Sequence, residues 1–189
     1  MRNSKQDSLA KSSLCKDFTF DSFISCDTNT FVLKMAVATA KNLGKFYNPF
    51  LIYGECGVGK THLAQAIGNY ILEHTKKAKV CYVTAENLNN EFATLEKEQK
   101  TELLKDKYEN LDVLILDDLQ FLQEKPELQE LLYAILSKLK EKQAQIVCTS
   151  RVRVSNIRLS LIKFLTDGFC IELSKSIGLR ESERCKIAP

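Results

Sequence analysis

The chain has 189 residues, of which 44% are hydrophobic and 27% are charged, and its formal net charge at pH 7 is +3. Length and composition are typical of one globular domain, and they exclude the collagen-like, disordered and disulfide-knot classes. The net charge is too small to indicate a polyanionic partner by itself.

The amino terminus and the apolar runs predict a cytoplasmic protein that does not cross a membrane. The first residues contain no apolar core of the signal-peptide kind. No apolar run approaches the roughly 20 residues that a membrane-spanning helix needs. The seven cysteines form no CxxC pair and their number is odd, so we interpret them as reduced thiols.

Short apolar runs alternate with helical patterns along most of the chain. We predict strands at 50–53, 79–84, 112–117, 145–149 and 168–173, and helices at 30–43, 60–75, 86–109 and 127–142. Because the strand runs are continuously apolar, we expect a mainly parallel sheet that is buried on both faces. The sequence thus predicts a three-layer α/β fold with five strands. Residues 1–17 are predicted to be a mobile segment, 18–175 the folded domain and 176–189 a short tail.

A phosphate-binding loop is the strongest local pattern. Residues 54–61, GECGVGKT, fit G-x-x-x-x-G-K-T between a predicted strand and a predicted helix, and a glycine-rich turn with a chance lysine is the alternative. Glycines let backbone N–H groups turn inward, and the helix amino terminus adds positive potential there. Lys60 would reach the β- and γ-phosphates as a catalytic residue, and the Thr61 hydroxyl would coordinate Mg²⁺. The candidate cofactor-binding residues of this segment are Gly54, Gly57, Val58, Gly59, Lys60, Thr61 and His62.

Two acidic residues follow the apolar run of the third predicted strand. Asp117 and Asp118 would lie at the carboxyl end of a parallel strand, where such sheets bind their ligands. Asp117 is placed to hold Mg²⁺, directly or through water, and Asp118 to act as the general base for an attacking water. The alternative is that one aspartate caps the helix that follows.

Five stretches resemble the bacterial replication initiator DnaA family of AAA+ ATPases, namely 18–36, 47–71, 84–92, 108–133 and 142–150. The resemblance is specific because Asn-Pro before the phosphate strand, Thr-His-Leu after the lysine and Asp-Asp-x-Gln-Phe-Leu are not general features of phosphate-binding loops. It implies a P-loop NTPase fold of the AAA+ base type. It also implies ATP or ADP together with Mg²⁺ as the bound ligands.

The resemblance further implies an adenine pocket, a sensor and a helical insert. The corresponding pocket positions are Phe20, Phe23, Ile24, Asn29, Tyr47 and Asn48. The polar sensor of the γ-phosphate corresponds to Thr149, with Ser150 beside it. The insert at 91–111 contacts single-stranded DNA in the family, but its lysines are offset by acids, and a solvated charged helix is the better interpretation.

Two departures from the family pattern concern arginine and length. The arginine finger position falls on Ser160, and only a shifted backbone would let Arg158 replace it, so we expect slow hydrolysis. After the fifth strand the 189 residues leave no room for a helical lid or a duplex-reading domain. We therefore expect a truncated or accessory homologue without sequence-specific duplex binding.

These observations lead to a functional prediction with open alternatives. The chain is predicted to act in replication initiation or its regulation by nucleotide-dependent contact with a full-length initiator or another AAA+ protein. The basic run at 151–163 allows weak contact with single-stranded DNA, although a solvated loop is the simpler interpretation. The alternatives are a non-hydrolysing regulator of the initiator, a helicase-loader-like ATPase and a gene remnant without a role.

Overall fold

A five-stranded parallel sheet forms the centre of the molecule. The structure, a computed structural model, describes residues 13–151 and 159–174. The strands are β1 (Phe50–Tyr53), β2 (Val80–Thr84), β3 (Val113–Asp117), β4 (Gln145–Ser150) and β5 (Phe169–Glu172), and their order in the sheet is β2-β3-β4-β1-β5. All neighbouring strands pair in parallel, which confirms the predicted sheet. The order places β4 between the strand of the phosphate loop and the acidic strand.

Helices cover both faces of the sheet. They are α1 (Thr30–Lys41), α2 (Lys60–His74), α3 (Ala85–Lys97), α4 (Glu102–Tyr108), α5 (Pro126–Glu141) and α6 (Leu159–Thr166), with a 3₁₀ turn at Leu119–Leu122. Leu51, Leu114 and Ile146 belong to the buried cluster shared with α3, α4, α5 and α6. Phe50, Ile115 and Val147 belong to the cluster shared with α1 and α2. Residues adjacent in a strand point to opposite faces, so each strand contributes to both clusters.

Two helical segments differ from the prediction. The single helix predicted at 86–109 is two helices, because Gln99 adopts a left-handed backbone with φ of 56°. The Lys100 N–H then donates to the Leu95 carbonyl at 2.8 Å, which is the bond that closes a helix end of the Schellman type. The second difference is α6, where the sequence analysis predicts no helix. Its Leu161 and Leu165 are four residues apart and both are fully buried.

The amino-terminal residues from Ser13 to Phe18 lie along α2, and we call them the strap. The Asn69 side chain donates to the carbonyls of Cys15 and Phe18, both at 2.8 Å. Leu14 packs against the cluster beneath α2. Residues 13–17, which the sequence analysis assigns to a mobile segment, are therefore hydrogen-bonded to the domain.

Several sequence-based predictions fall on residues that the structure does not describe. Residues 1–12, the tail at 176–189 and Arg158 lie outside the described residues, as does most of the basic run at 151–163. Within the described ranges, no helical domain follows β5. None of the helices described has the length and hydrophobicity that a bilayer crossing requires.

Candidate functional site

The loop between β1 and α2 has the backbone geometry of an anion cradle. Gly54, Gly57 and Gly59 have φ of 151°, 76° and 97°, values that residues with a side chain rarely adopt. A Cβ added at Gly57 would meet nothing within 4 Å, so no other group packs against the loop at that point. The loop leads into the 15-residue helix α2, whose amino terminus favours negative charge. The fold therefore supplies the cradle that the sequence motif predicts.

Lys60 is held inside this loop. Only 6% of the residue is exposed, and its Nζ donates to the Glu55 carbonyl at 2.7 Å. Burial lowers the pKa of the Lys60 amine, while Asp118, Cys56 and Asp117 oppose that change. An ammonium group that burial penalises gains from an incoming anion, so the site favours phosphate next to Lys60.

Three hydroxyl groups converge on the carboxylate of Asp117. Thr61 Oγ1 donates to Asp117 Oδ2 at 2.8 Å, and the Tyr82 hydroxyl donates to the same oxygen at 2.7 Å. Thr149 Oγ1 donates to the other oxygen, Oδ1. Asp117 is 2% exposed, so these donors replace the water that its charge requires. The structure thus adds Thr149 to Thr61 and Asp117, the pair that the sequence analysis already assigns to one Mg²⁺.

Tyr82 is a member of this cluster that the sequence analysis misses. It lies on β2, and its neighbour in the sheet register is Ile115 of β3. Side chains of alternate residues share a face, so Tyr82, two residues after Val80, points to the α2 side together with Asp117. The available signal is one aromatic residue in a strand of otherwise small and β-branched residues, but its partner depends on β2 and β3 being neighbours.

Asp118 lies beside this cluster with its own contacts. Its backbone is left-handed with φ of 58°, and its N–H donates to Thr149 Oγ1 at 3.0 Å. Its Oδ1 accepts from Gln120 Nε2 at 2.9 Å. Asp118 makes no side-chain cap to the 3₁₀ turn that follows, so the capping alternative has no support here.

The candidate adenine-pocket phenylalanines lie at two places along α2, Phe23 beside His62 at its first turn and Phe20 beside Tyr70 nearer its end. The His62 ring stacks on Phe18 at 4.7 Å and meets Phe23 edge-on at 5.3 Å, measured between ring centroids. His62 Nε2 lies 2.9 Å from the Thr19 carbonyl, and burial lowers the pKa of the ring. Phe20 contacts Tyr70 at 5.8 Å. His62 therefore faces the amino-terminal segment at the first turn of α2.

The remaining pocket candidates make local contacts elsewhere. Asn48 precedes β1, and its side chain donates to the Ala144 carbonyl at 2.8 Å and accepts from the Ile146 N–H at 2.9 Å. It therefore lies at the amino ends of the strands, opposite the phosphate loop. The Asn29 side chain is likewise engaged by Ile24 and Cys26 backbone groups. The Tyr47 ring packs on Phe169. The Ile24 carbonyl accepts from the Asn29 side chain. Val58 packs against the buried cluster on the α2 side of the sheet.

The oxygen donors fit a hard divalent cation together with phosphate. Thr61 and Asp117 present a hydroxyl and a carboxylate, the ligand types that Mg²⁺ prefers. Mg²⁺ is commonly held by one or two carboxylates plus substrate phosphates, not by an all-protein cage. The described residues contain no group of three or more His, Cys, Asp or Glu side chains that could hold a metal.

Comparison with known proteins gives consistent matches. The family model for the bacterial DnaA ATPase domain matches residues 14–170. The chain is 47% identical over 133 residues to the chromosomal replication initiator protein DnaA of Treponema denticola, which covers 70% of this chain and 28% of that protein. This chain thus spans about a quarter of the length of that curated relative.

Solved structures match at the level of the whole fold. Domain III of the Thermotoga maritima replication initiation protein DnaA has a TM-score of 0.82 at 34% identity, covering 86% of this chain and 69% of that one. A replication initiator DnaA bound to AMPPCP and single-stranded DNA has a TM-score of 0.81 at 28% identity, covering 93% and 54%. The DnaC helicase loader has a TM-score of 0.68 at 20% identity over 85% and 97%, a likeness of fold alone.

Proposed function

Because the chain belongs to the bacterial DnaA ATPase domain family, we propose that it binds ATP or ADP with Mg²⁺ at the carboxyl ends of β1, β3 and β4. The observation that carries the proposal is the convergence of Thr61 and Thr149 on buried Asp117, directly beside the phosphate loop. A purely structural glycine turn gives no reason to bury a lysine and a carboxylate next to an open cradle. AMPPCP bound to the related initiator supports the same ligand class.

Each residue of the proposed site has a distinct role. Backbone N–H groups of residues 54–59 and the amino terminus of α2 hold the phosphates, and Lys60 neutralises their charge. Thr61 and Asp117 hold Mg²⁺, which when bound shields the charge of the β- and γ-phosphates. Thr149 positions Asp117 and the backbone of Asp118 at once.

Asp118 is the proposed general base for hydrolysis. Its carboxylate is half-buried and is oriented by Gln120, whose Oε1 in turn accepts from the Arg151 N–H at 3.1 Å. A carboxylate held in this way can accept the proton of an attacking water. A charge-stabilising arginine from a neighbouring AAA+ subunit would raise the rate.

The aromatic group at the start of α2 is the proposed base-binding side of the site. Phe23 and His62 supply ring surfaces at the first turn of α2, next to the phosphate loop, as an adenine ring requires. Phe20 contacts Tyr70 further along α2 and stays a candidate by resemblance alone. The Asn48 and Asn29 side chains have no part in this proposal, since backbone groups engage their amides.

The proposed cellular role is in replication initiation or its regulation, through nucleotide-dependent contact with a full-length initiator or another AAA+ protein in the cytoplasm. The family membership and the single-stranded DNA in the related structure support this role, and weak contact with single strands belongs to the same proposal. A non-hydrolysing regulator is the second candidate. It is favoured by the position of the family's arginine finger, which falls on Ser160 in this sequence.

Nucleotide titration tests the proposal. Fluorescent ATP and ADP should bind the wild-type chain with Mg²⁺ present, and Lys60→Ala should weaken binding about tenfold or more, which corresponds to the loss of one charge-assisted contact. The exposed Lys34→Ala variant on α1 is the matched control and should bind like the wild type. Equal, poor binding by the wild type and Lys60→Ala would refute the proposed site.

Hydrolysis with and without a purified full-length initiator separates the two candidates. A turnover that rises with the initiator and disappears in Asp118→Asn identifies an ATPase completed by its neighbour. A rate that stays unchanged, with nucleotide binding intact, identifies the non-hydrolysing regulator.

A further inference from the structure

Tyr82 occupies a position that the phosphate-loop chemistry does not require. Its hydroxyl donates to Asp117 Oδ2 at 2.7 Å, the same oxygen that accepts from Thr61. A phenol is protonated at neutral pH, so this hydroxyl acts as a hydrogen-bond donor to the carboxylate. Tyr82 therefore fixes Oδ2 even when the Thr61 hydroxyl turns toward another partner. Its role is to orient a carboxylate, not to contact phosphate.

Gln65 connects Tyr82 to the strap. It lies one turn after Thr61 on α2 and is 4% exposed. Its Oε1 accepts from the Cys15 N–H of the strap at 2.7 Å, and the same side chain lies next to the Tyr82 hydroxyl, with which it interacts electrostatically. A buried amide costs free energy unless its groups are paired, so the Gln65 carbonyl depends on the Cys15 N–H.

The strap also contacts Tyr82 directly. Ser13 Oγ donates to the Tyr82 carbonyl at 2.6 Å, which attaches the start of the strap to β2. Leu14 packs against α2 at Gly68, where an added Cβ would lie 2.9 Å from Leu14 Cδ1 and 2.7 Å from Ile115 Cδ1 of the sheet. The strap is therefore packed in one defined position above Tyr82. Its displacement would expose Leu14 and leave the Gln65 carbonyl without the Cys15 donor.

We propose that the strap positions the Asp117 carboxylate through Gln65 and Tyr82, which makes both side chains positioning residues for the Mg²⁺ requirement of nucleotide binding. Gln65 accepts from the Cys15 amide and lies beside the Tyr82 hydroxyl, and that hydroxyl donates to Asp117 Oδ2. This inference rests on the proposed function. It adds that packing of the strap on α2 strengthens Mg²⁺ binding, and that Mg²⁺ binding in turn stabilises the packed strap.

The first test replaces the tyrosine hydroxyl in the full chain. In Tyr82→Phe, the Mg²⁺ concentration that half-saturates binding of fluorescent ATP should rise about tenfold, as for loss of an outer-shell partner of a metal ligand. Affinity for the nucleotide in EDTA should be unchanged, because Tyr82 has no phosphate contact. Tyr133→Phe on α5, which removes an exposed hydroxyl far from the site, is the matched control. A thermal melt of each variant reports whether it is folded.

A second variant tests the path to the strap. Gln65→Met keeps the volume and removes the amide, so it should raise the Mg²⁺ requirement in the same direction as Tyr82→Phe. Because Gln65 acts through Tyr82, the double variant should resemble Tyr82→Phe alone, which is non-additive. Additive effects would show that Gln65 acts on nucleotide binding by another route and would contradict the path.

Hydrogen exchange at the Cys15 amide is a second measurement, which does not depend on the Mg²⁺ titrations. Nucleotide with Mg²⁺ should slow exchange of the Cys15 amide more than nucleotide in EDTA, and this difference should disappear in Gln65→Met. If Tyr82→Phe does not fold, this difference in exchange still tests whether the strap and the metal site are coupled. A wild-type chain that binds no nucleotide overturns the proposed function and this inference with it. A wild-type chain that binds with Mg²⁺, an unchanged Mg²⁺ requirement in folded Tyr82→Phe and no difference in Cys15 exchange would overturn this inference alone.

Discussion

At the residue scale, the Thr149 side chain forms hydrogen bonds with both acidic residues of the site, Asp117 and Asp118. Its Oγ1 donates to Asp117 and accepts from the Asp118 N–H at 3.0 Å, and Thr149 is fully buried. The Thr149 hydroxyl thus donates to the buried Asp117 carboxylate and accepts from the N–H of Asp118, whose backbone is left-handed. The γ-phosphate sensor assigned to Thr149 from the family resemblance stays a prediction, whereas its contact with Asp117 is a feature of this structure.

Thr149→Val tests this dependence. It keeps the shape but removes the hydroxyl, so the free energy of unfolding should fall by about 1–3 kcal/mol, the cost of leaving buried polar groups unpaired. Urea denaturation of the variant and the wild type measures the difference. Thr94→Val on α3, whose hydroxyl bonds only within its own helix, is the matched control and should change stability little. An equal loss in both variants would refute the special role of Thr149.

His62 predicts a pH dependence of stability. Burial lowers its pKa in the folded state below the ordinary value of 6.5, so the unfolded chain binds the proton more readily. The stability from neutral His62 is therefore complete above pH 6.5 and is lost as the pH falls through the folded-state pKa. Unfolding free energies at pH 7.5 and at about pH 5.5 should differ less in His62→Gln than in the wild type. His74→Gln, which alters an exposed histidine, should retain the wild-type difference.

At the element scale, Glu91 of α3 forms hydrogen bonds with α4, and these two helices replace the single helix predicted at 86–109. Its carboxylate accepts from Lys107 Nζ at 2.6 Å and 2.8 Å and from the Tyr108 hydroxyl at 2.9 Å. Because Tyr108 is only 2% exposed, its hydroxyl has little access to water as a substitute acceptor. The contact therefore sets how α4 packs on α3.

Glu91→Leu should loosen α4 without altering the nucleotide site. We expect a loss of about 1–3 kcal/mol in the free energy of unfolding, since Tyr108 loses its buried acceptor and Lys107 its partner. Hydrogen exchange should accelerate in α4 more than in α2, while nucleotide affinity remains that of the wild type. Glu86→Leu, at an exposed position in the first turn of α3, provides the comparison. Uniform acceleration across the domain would contradict a local role for Glu91.

The same element shows why part of the fold could be predicted from sequence and part could not. The strands carry their own signal, since continuous apolar runs identify buried parallel strands. The break between α3 and α4 carries none, because every residue from Glu96 to Glu102 is compatible with a helix. It depends on the left-handed backbone of Gln99 and on packing of both helices against the sheet. Tertiary packing overrides local helix propensity there.

In the candidate site, too, some residues could be predicted from sequence and others depend on tertiary packing. Lys60, Thr61 and Asp117 are encoded in short motifs whose position on the sheet is fixed by strand ends, so sequence alone could bring them together. Tyr82 could not be found in this way, because its contact requires the sheet order β2-β3 and a common face. Asn48 was assigned by resemblance, and its amide instead joins the start of β1 to β4.

At the scale of the whole molecule, one sheet belongs to both hydrophobic clusters, so loss of the phosphate site and global unfolding should be coupled. A ligand that binds only the folded chain at about 100 times its Kd adds about 2.7 kcal/mol of stability. For a domain of this length each kcal/mol raises the Tm by about 2–4 °C, so saturating ATP with Mg²⁺ should raise it by about 5–10 °C. Differential scanning fluorimetry measures the shift. Lys60→Ala should lose most of it, and Lys34→Ala should keep it. A shift that persists in Lys60→Ala would place the nucleotide away from the loop.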